Sequence, residues 1–169
     1  DDPFSDNGTE PPFVPPAAKA ESADGRKSAL GPMPNFPFET METLDDESFL
    51  SAFRALLRQT ADFGASDLHL STGARPFIRK NRQLSFLTDY VLTADDAIEL
   101  NTALLSEGQR KIFLERKDYD YALALEGSDR YRVNLMFHKG GAAGSYRMVP
   151  AKIRSLADLG YTAHLETLK

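Results

Sequence analysis

The sequence predicts an α+β domain, a mostly antiparallel sheet with helices on one face, preceded by a disordered Pro-rich tail. Three observations predict it. Beyond residue 45, apolar residues switch between helical spacing and strict alternation. Helix-start chemistry recurs at Asp45, Thr93 and Ser106. Eight of the ten prolines fall before residue 44, in a stretch with neither period.

That stretch, residues 1–44, reads as an acidic tail or linker. A segment with scattered apolar residues cannot bury enough surface to offset its ordering entropy. Its Pro11-Pro12 and Pro15-Pro16 pairs also suit a partner's polyproline groove, but a plain linker is the simpler reading. The domain itself is set at 45–169. Asp45 or Asp46 caps a helix with the stripe Phe49, Phe53, Leu56, Leu57 and Thr60, and Gly64 ends it.

Asp67-Leu68-His69-Leu70-Ser71 alternates as a half-buried strand. Gly73-Ala74-Arg75-Pro76 is turn chemistry, Phe77 to Lys80 a second strand, and Leu84 to Leu87 a third after the Asn81-Arg82 turn. Thr93 and Asp96 form a capping-box pair opening a helix through about Leu105. Ser106 and Gln109 repeat the signature for a shorter helix carrying Ile112 and Phe113. Tyr119, Tyr121, Leu123 and Leu125 then share one strand face, and a Gly127-Ser128-Asp129 turn leads to Tyr131, Val133, Leu135 and Phe137 on the inward face of the next strand. Lys139 to Gly144 is expected to be a flexible hairpin loop, with Ser145 to Val149 returning as a strand stopped by Pro150.

Of 169 residues, 20 are basic and 25 acidic. Residues 1–44 hold 3 of the basic and 8 of the acidic ones, so the excess acid lies in the tail and the remainder is neutral. A neutral domain has no bulk attraction for nucleic acid or anionic lipid, so any anion site must rest on a few placed cations. Zero cysteines excludes disulfides and thiolate metal sites. No apolar run reaches the roughly 18 residues of a membrane span, and the N-terminus has no signal-peptide pattern. The chain starts at Asp1 without an initiator Met, which suggests a fragment or a trimmed product.

Candidate chemistry is sparse. Gly140-Gly141-Ala142-Ala143-Gly144 suggests a phosphate cradle, but GxxxxGK[ST] occurs nowhere, so the chain is not expected to hydrolyse a nucleotide by itself. Ser66, Asp67 and His69 have triad residue types, yet they lie on one short strand, which reads as a solvated sheet edge. His69, His138 and His164 are too scattered for a metal site, and Asp118 and Asp120 share a strand face without a legible cleft. The arginines say more. Arg130, Arg132 and Asn134 lie opposite Tyr131, Val133 and Leu135, and Arg147 lies opposite Tyr146 and Met148. If these strands form a hairpin, Arg132 and Arg147 project from one polar face, with planar forks suited to phosphate oxygens.

Gly64-Ala65-Ser66-Asp67-Leu68-His69-Leu70-Ser71 with Arg75-Pro76 and Ile78-Arg79 resembles the opening of the PilT-like family of twitching-motility and type II–type IV secretion ATPases. Arg130-Tyr131-Arg132-Val133-Asn134 and Tyr146-Arg147-Met148-Val149-Pro150 resemble its second signature, and Ile153 to Gly160 the stretch leading to its motor domain. Around Leu135-Met136-Phe137-His138 the chain departs from the family pattern. The resemblance implies a PAS-like N-terminal domain in the cytoplasm, peripheral at the inner-membrane pilus or secretion base. It implies a homohexamer in which ATP and Mg lie mainly in a RecA-like motor domain, with neither bound by this chain alone. It also implies arginine-finger roles for Arg132 and Arg147, with Arg130 a weaker candidate, and partners in neighbouring subunits and the pilus machinery, with no nucleic acid. The wording of the motifs leans toward pilus retraction over assembly or secretion. A free-standing adaptor or a PAS-like sensor of a small molecule remains open, and no cyclic-di-GMP motif is present.

Overall fold

A computed structural model describes residues 31–127 and 129–149. Residues 1–30 of the expected 1–44 tail, Ser128, Pro150, the Ile153–Gly160 segment and His164 lie outside the described residues.

A 3₁₀ helix over Phe38–Thr43 precedes α1 at Asp46–Asp62. Then come β1 (Asp67–Ser71), β2 (Phe77–Lys80), β3 (Gln83–Phe86), α2 (Ala94–Thr102), α3 (Glu107–Arg116), β4 (Asp118–Ala124), β5 (Arg130–His138) and β6 (Gly141–Val149). The strands form one sheet in the order β3-β2-β1-β6-β5-β4, with every pairing antiparallel.

Each helix starts where its capping chemistry satisfies the orphan N–H groups of the first turn. The Asp45 carboxylate accepts from the Ser48 N–H at 2.8 Å. Thr93 and Asp96 bond reciprocally, at 2.8 and 3.2 Å, and so do Ser106 and Gln109, at 2.9 and 3.3 Å. The stripe expected on α1 is buried in full, and Gly64 leaves the helix with φ of 83°.

All three helices pack on one sheet face. Phe53 of α1 meets the Tyr146 ring of β6 edge-on, with centroids 5.8 Å apart, and Phe113 of α3 stacks on Phe137 of β5 at 5.0 Å. From α2, buried Asn101 donates to the Leu70 carbonyl at 3.1 Å and accepts from the Tyr146 hydroxyl at 3.0 Å. Leu68, Leu70, Ile78, Val133 and Leu135 complete this layer.

Three expectations change. Order reaches back past Asp45, because Phe36, Phe38 and Met41 are buried and Phe36 packs against Phe49 and Phe53. These anchors sit between prolines with no period, so they earn their place one by one. Second, Lys139 to Gly144 is not a loop. The turn is confined to Lys139 and Gly140, and Gly141 already pairs with His138. Gly144 is small because α2 lies on it, since a Cβ there would overlap the Asn101 side chain, and Gly141 because a Cβ there would meet Thr72. Third, α2 ends at Thr102 rather than near Leu105.

Candidate functional site: the open sheet face

Alternation along each strand sends every second side chain away from the helices. The register aligns these side chains into rows across the sheet. One row runs Arg79 (β2), Asp67 (β1), Arg147 (β6), Arg132 (β5) and Ala122 (β4). The next runs Phe86 (β3), Phe77 (β2), His69 (β1), Ser145 (β6), Asn134 (β5) and Asp120 (β4). Arg132 and Arg147 are thus direct cross-strand partners on the open face, as the hairpin reading required. Arg130 shares that face but pairs with Val149 at the sheet end, where its side chain donates to the Asp129 carbonyl at 3.3 Å.

Asp67 changes how Arg147 is understood. β1 is a central strand, paired with both β2 and β6, so the expected solvated edge at Ser66, Asp67 and His69 is wrong. Sequence alone does not reveal a pairing between residues 80 positions apart, and that pairing is what buries Asp67 to 6% exposure. The Asp67 carboxylate accepts from the Ser66 hydroxyl at 2.7 Å and from Nε of Arg147 at 3.1 Å. Burial alone would raise its pKa, but these two hydrogen bonds and the Arg147 charge hold it below the ordinary carboxylate value. Among the described residues only Nε of Arg147 is engaged, so both terminal guanidinium nitrogens point their donors elsewhere. Arg132 forms no hydrogen bond or ion pair among the described residues, and the two cations stand side by side without a carboxylate between them.

A triad is excluded on geometry, since Ser66 donates to Asp67 and His69 stacks on Phe77 at 4.6 Å. Burial pushes the His69 pKa down, with Arg79 and Arg147 adding to that and Asp67 opposing it. Ser71 and His138 approach to 3.3 Å, but His138 Nδ1 accepts from the Gly140 N–H, which leaves the neutral ring's proton on Nε2 facing Ser71. That ring cannot take a proton from Ser71. Asp118 and Asp120 do not act as a pair either, because Asp120 accepts from Asn134 at 2.7 Å.

The open face is less polar than alternation suggested. Leu84, Phe86 and Met136 are each nearly half exposed on it, and Arg75 lies over the Phe86 ring at 3.9 Å. Such a face, cations beside apolar groups, suits a surface that another protein layer covers. Among the described residues no helix is long and apolar enough to cross a membrane, and no group of three or more His, Cys, Asp or Glu could hold a metal ion.

No protein-family model matches the chain. It is 33% identical over 105 residues to the type IV pilus retraction ATPase PilT of Pseudomonas aeruginosa, an alignment covering 62% of this chain and 30% of that protein. It is 26% identical over 107 residues to the type IV pilus ATPase PilU of the same organism, covering 63% and 28%. Among solved structures, the ADP-bound pilus retraction motor PilT superposes with a TM-score of 0.54 at 30% identity, over 62% of this chain and 31% of that one. The Legionella pneumophila ATPase DotB shares the fold, with a TM-score of 0.52 at 22% identity over 72% and 32%. The chain therefore spans about a third of the length of the relatives it matches.

Proposed function

We propose that the described domain is an N-terminal domain of the PilT-like twitching-motility and secretion ATPase family and that it brings Arg132 and Arg147 to the phosphates of ATP held by a RecA-like motor domain. In this reading the domain is the regulatory and oligomerising part of a homohexamer that powers pilus retraction from the cytoplasmic side of the inner membrane. Its open sheet face is the surface the motor domain covers.

One observation carries the reading. Arg132 and Arg147 are direct neighbours on an open face, and Asp67 holds Arg147 by Nε while leaving the terminal fork to a ligand. Two guanidinium groups facing outward, that of Arg147 held by Asp67, stabilise charge that develops on a transferring phosphoryl group. Domain closure would bring them in and opening would withdraw them, so the motion gates turnover. In this reading any Mg²⁺ lies with the ATP in the motor domain.

The test is ATPase turnover of the complete motor with Arg132→Ala or Arg147→Ala. Removing an arginine finger costs about 10³-fold or more in rate. A variant that assembles normally and turns over at the parent rate discards the role.

A further inference from the structure

Gly31, the first described residue, lies beside the last turn of α1. Its N–H donates to the Asp62 carbonyl at 3.3 Å, and a Cβ on it would stand 3.3 Å from that of Asp62. Residues 1–30 therefore leave the domain from one particular ridge of the helix. Arg54, Arg58 and Asp62 recur at four-residue spacing, which stacks them in a single row along that ridge.

The row is short of counter-charges. Arg54 is exposed and forms no ion pair among the described residues. Arg58 reaches Glu126 at 3.5 Å, and since Glu126 is 91% exposed the contact is worth little. Nε of Arg58 is buried with no acceptor among the described residues, which costs stability until an acceptor arrives. Two cations four residues apart also repel along a helix. Beside them, Leu104, Leu123 and Leu125 line a recess of about 210 Å³. What completes this surface is a pair of carboxylates on a segment with small apolar side chains.

The sequence upstream of Gly31 supplies one. Residues 1–30 hold 6 acidic and 3 basic residues. Counting back from Gly31 come Lys27 and Arg26, then Asp24 and Glu21, interleaved with Ala23 and Ala20. Counting back along the helix row come Asp62, then Arg58 and Arg54. The two series are complementary in sign. They match in reach too. At 1.5 Å per residue, Arg58 and Arg54 lie about 6 and 12 Å from Asp62. The seven residues from Asp24 to Gly31 extend to at most about 25 Å. A tether this short holds the carboxylates at about millimolar local concentration, so even weak exposed ion pairs are populated.

We infer that residues 20–27 fold back along α1, with Lys27 and Arg26 on Asp62 and with Asp24 and Glu21 on Arg58 and Arg54. The segment then covers the helix side of the domain, across the sheet from Arg132 and Arg147. It stands or falls independently of the phosphate role given to those two residues.

The chain has no cysteine, so Ser22→Cys gives a single site for a nitroxide label on the full 169-residue chain. The label should erase the amide NMR signals of Arg54 to Arg58 and of Leu123 to Glu126. It should spare Lys80 to Arg82, which border the same helix end where Lys80 lies over the Phe63 ring. Salt at 1 M, where screening acts over about 3 Å, should bring the erased signals back. Glu21→Lys with Asp24→Lys should do the same, and adding Arg54→Glu with Arg58→Glu should erase them again. Equal loss at Lys80 to Arg82 describes a tether without a seat and overturns the inference, as does loss that persists in the two-lysine variant. Loss on nitroxide-free chains mixed with labelled ones places the contact between copies and overturns the fold-back. Should the four-substitution variant fail to fold, the two-lysine variant and the salt series still decide.

Discussion

Tyr146→Phe removes one oxygen from the centre of the molecule and tests how α2 is fastened to the sheet. Tyr146 is fully buried, and burial, with Tyr121 nearby, pushes its pKa well up, so the phenol stays protonated and remains a donor. It donates to Asn101 Oδ1 at 3.0 Å, while Asn101 Nδ2 reaches the Leu70 carbonyl at 3.1 Å. Phenylalanine keeps the edge-on contact with Phe53, so no cavity of consequence opens. What is lost is the only hydrogen bond to Asn101 Oδ1 among the described residues, in a residue 1% exposed. A buried acceptor left without a donor costs about 1–3 kcal/mol, and we expect about 2 kcal/mol here. Small proteins have a urea m-value of roughly 1–3 kcal/mol/M, so the midpoint of urea unfolding should fall by about 1 M with m unchanged. In an Asn101→Ala background the same substitution should cost about 1 kcal/mol less, because its acceptor is already gone. A loss below about 0.5 kcal/mol in the wild-type background would refute the argument that this amide depends on Tyr146.

Three further outcomes follow from neighbouring groups. Tyr131→Phe should be neutral or stabilising by up to about 1 kcal/mol in the same urea assay, because the Tyr131 hydroxyl is buried without a partner among the described residues. Asp67→Asn should cost under about 1 kcal/mol at neutral pH, since Arg147 is 72% exposed and its ion pair is screened. The Asp67 carboxylate titrates below its ordinary value of 3.8, so its contribution is complete above pH 3.8 and lost as pH falls through the folded value. The gap between wild type and Asp67→Asn should therefore close in that acid window. His69 is held below its ordinary 6.5, so the unfolded chain binds its proton first and the wild type loses stability as pH drops from 6.5 toward the folded value. His69→Gln should flatten that slope, measured by urea unfolding between pH 7 and 5.

The helices and most strands were legible because their signals are local. The α1 stripe and the two capping boxes are contained in short windows, and the structure keeps them residue for residue. The direct pairing of Arg132 with Arg147 was legible too, since a hairpin fixes register between neighbours in sequence. What escaped is non-local. Nothing near Asp67 announces that β6 will lie beside it and bury its carboxylate against Arg147. Gly141 to Gly144 looked mobile because small residues carry no period, and only contacts distant in sequence, Thr72 over Gly141 and Asn101 of α2 over Gly144, give the glycines a reason. Phe36, Phe38 and Met41 were hidden among prolines for the same cause, being anchors without a repeat. The assignment of arginines to phosphate came from family likeness, not from any pattern the strands display by themselves.

The strand order also has a consequence for how the face comes into being. β1, β2 and β3 are joined by short turns into one meander, and β4, β5 and β6 into another. Only the β1–β6 seam stitches the two meanders together, and it closes across the α2–α3 segment. Asp67 lies on one side of the seam and Arg147 on the other. Either meander folded alone has half of the row, and a chain whose seam has opened loses the Asp67–Arg147 clamp while keeping most of its local structure. Seam closure is the non-local, entropically slow step of assembly. The clamp on Arg147 is then a report that the fold is finished, absent from every partly zipped form of the sheet.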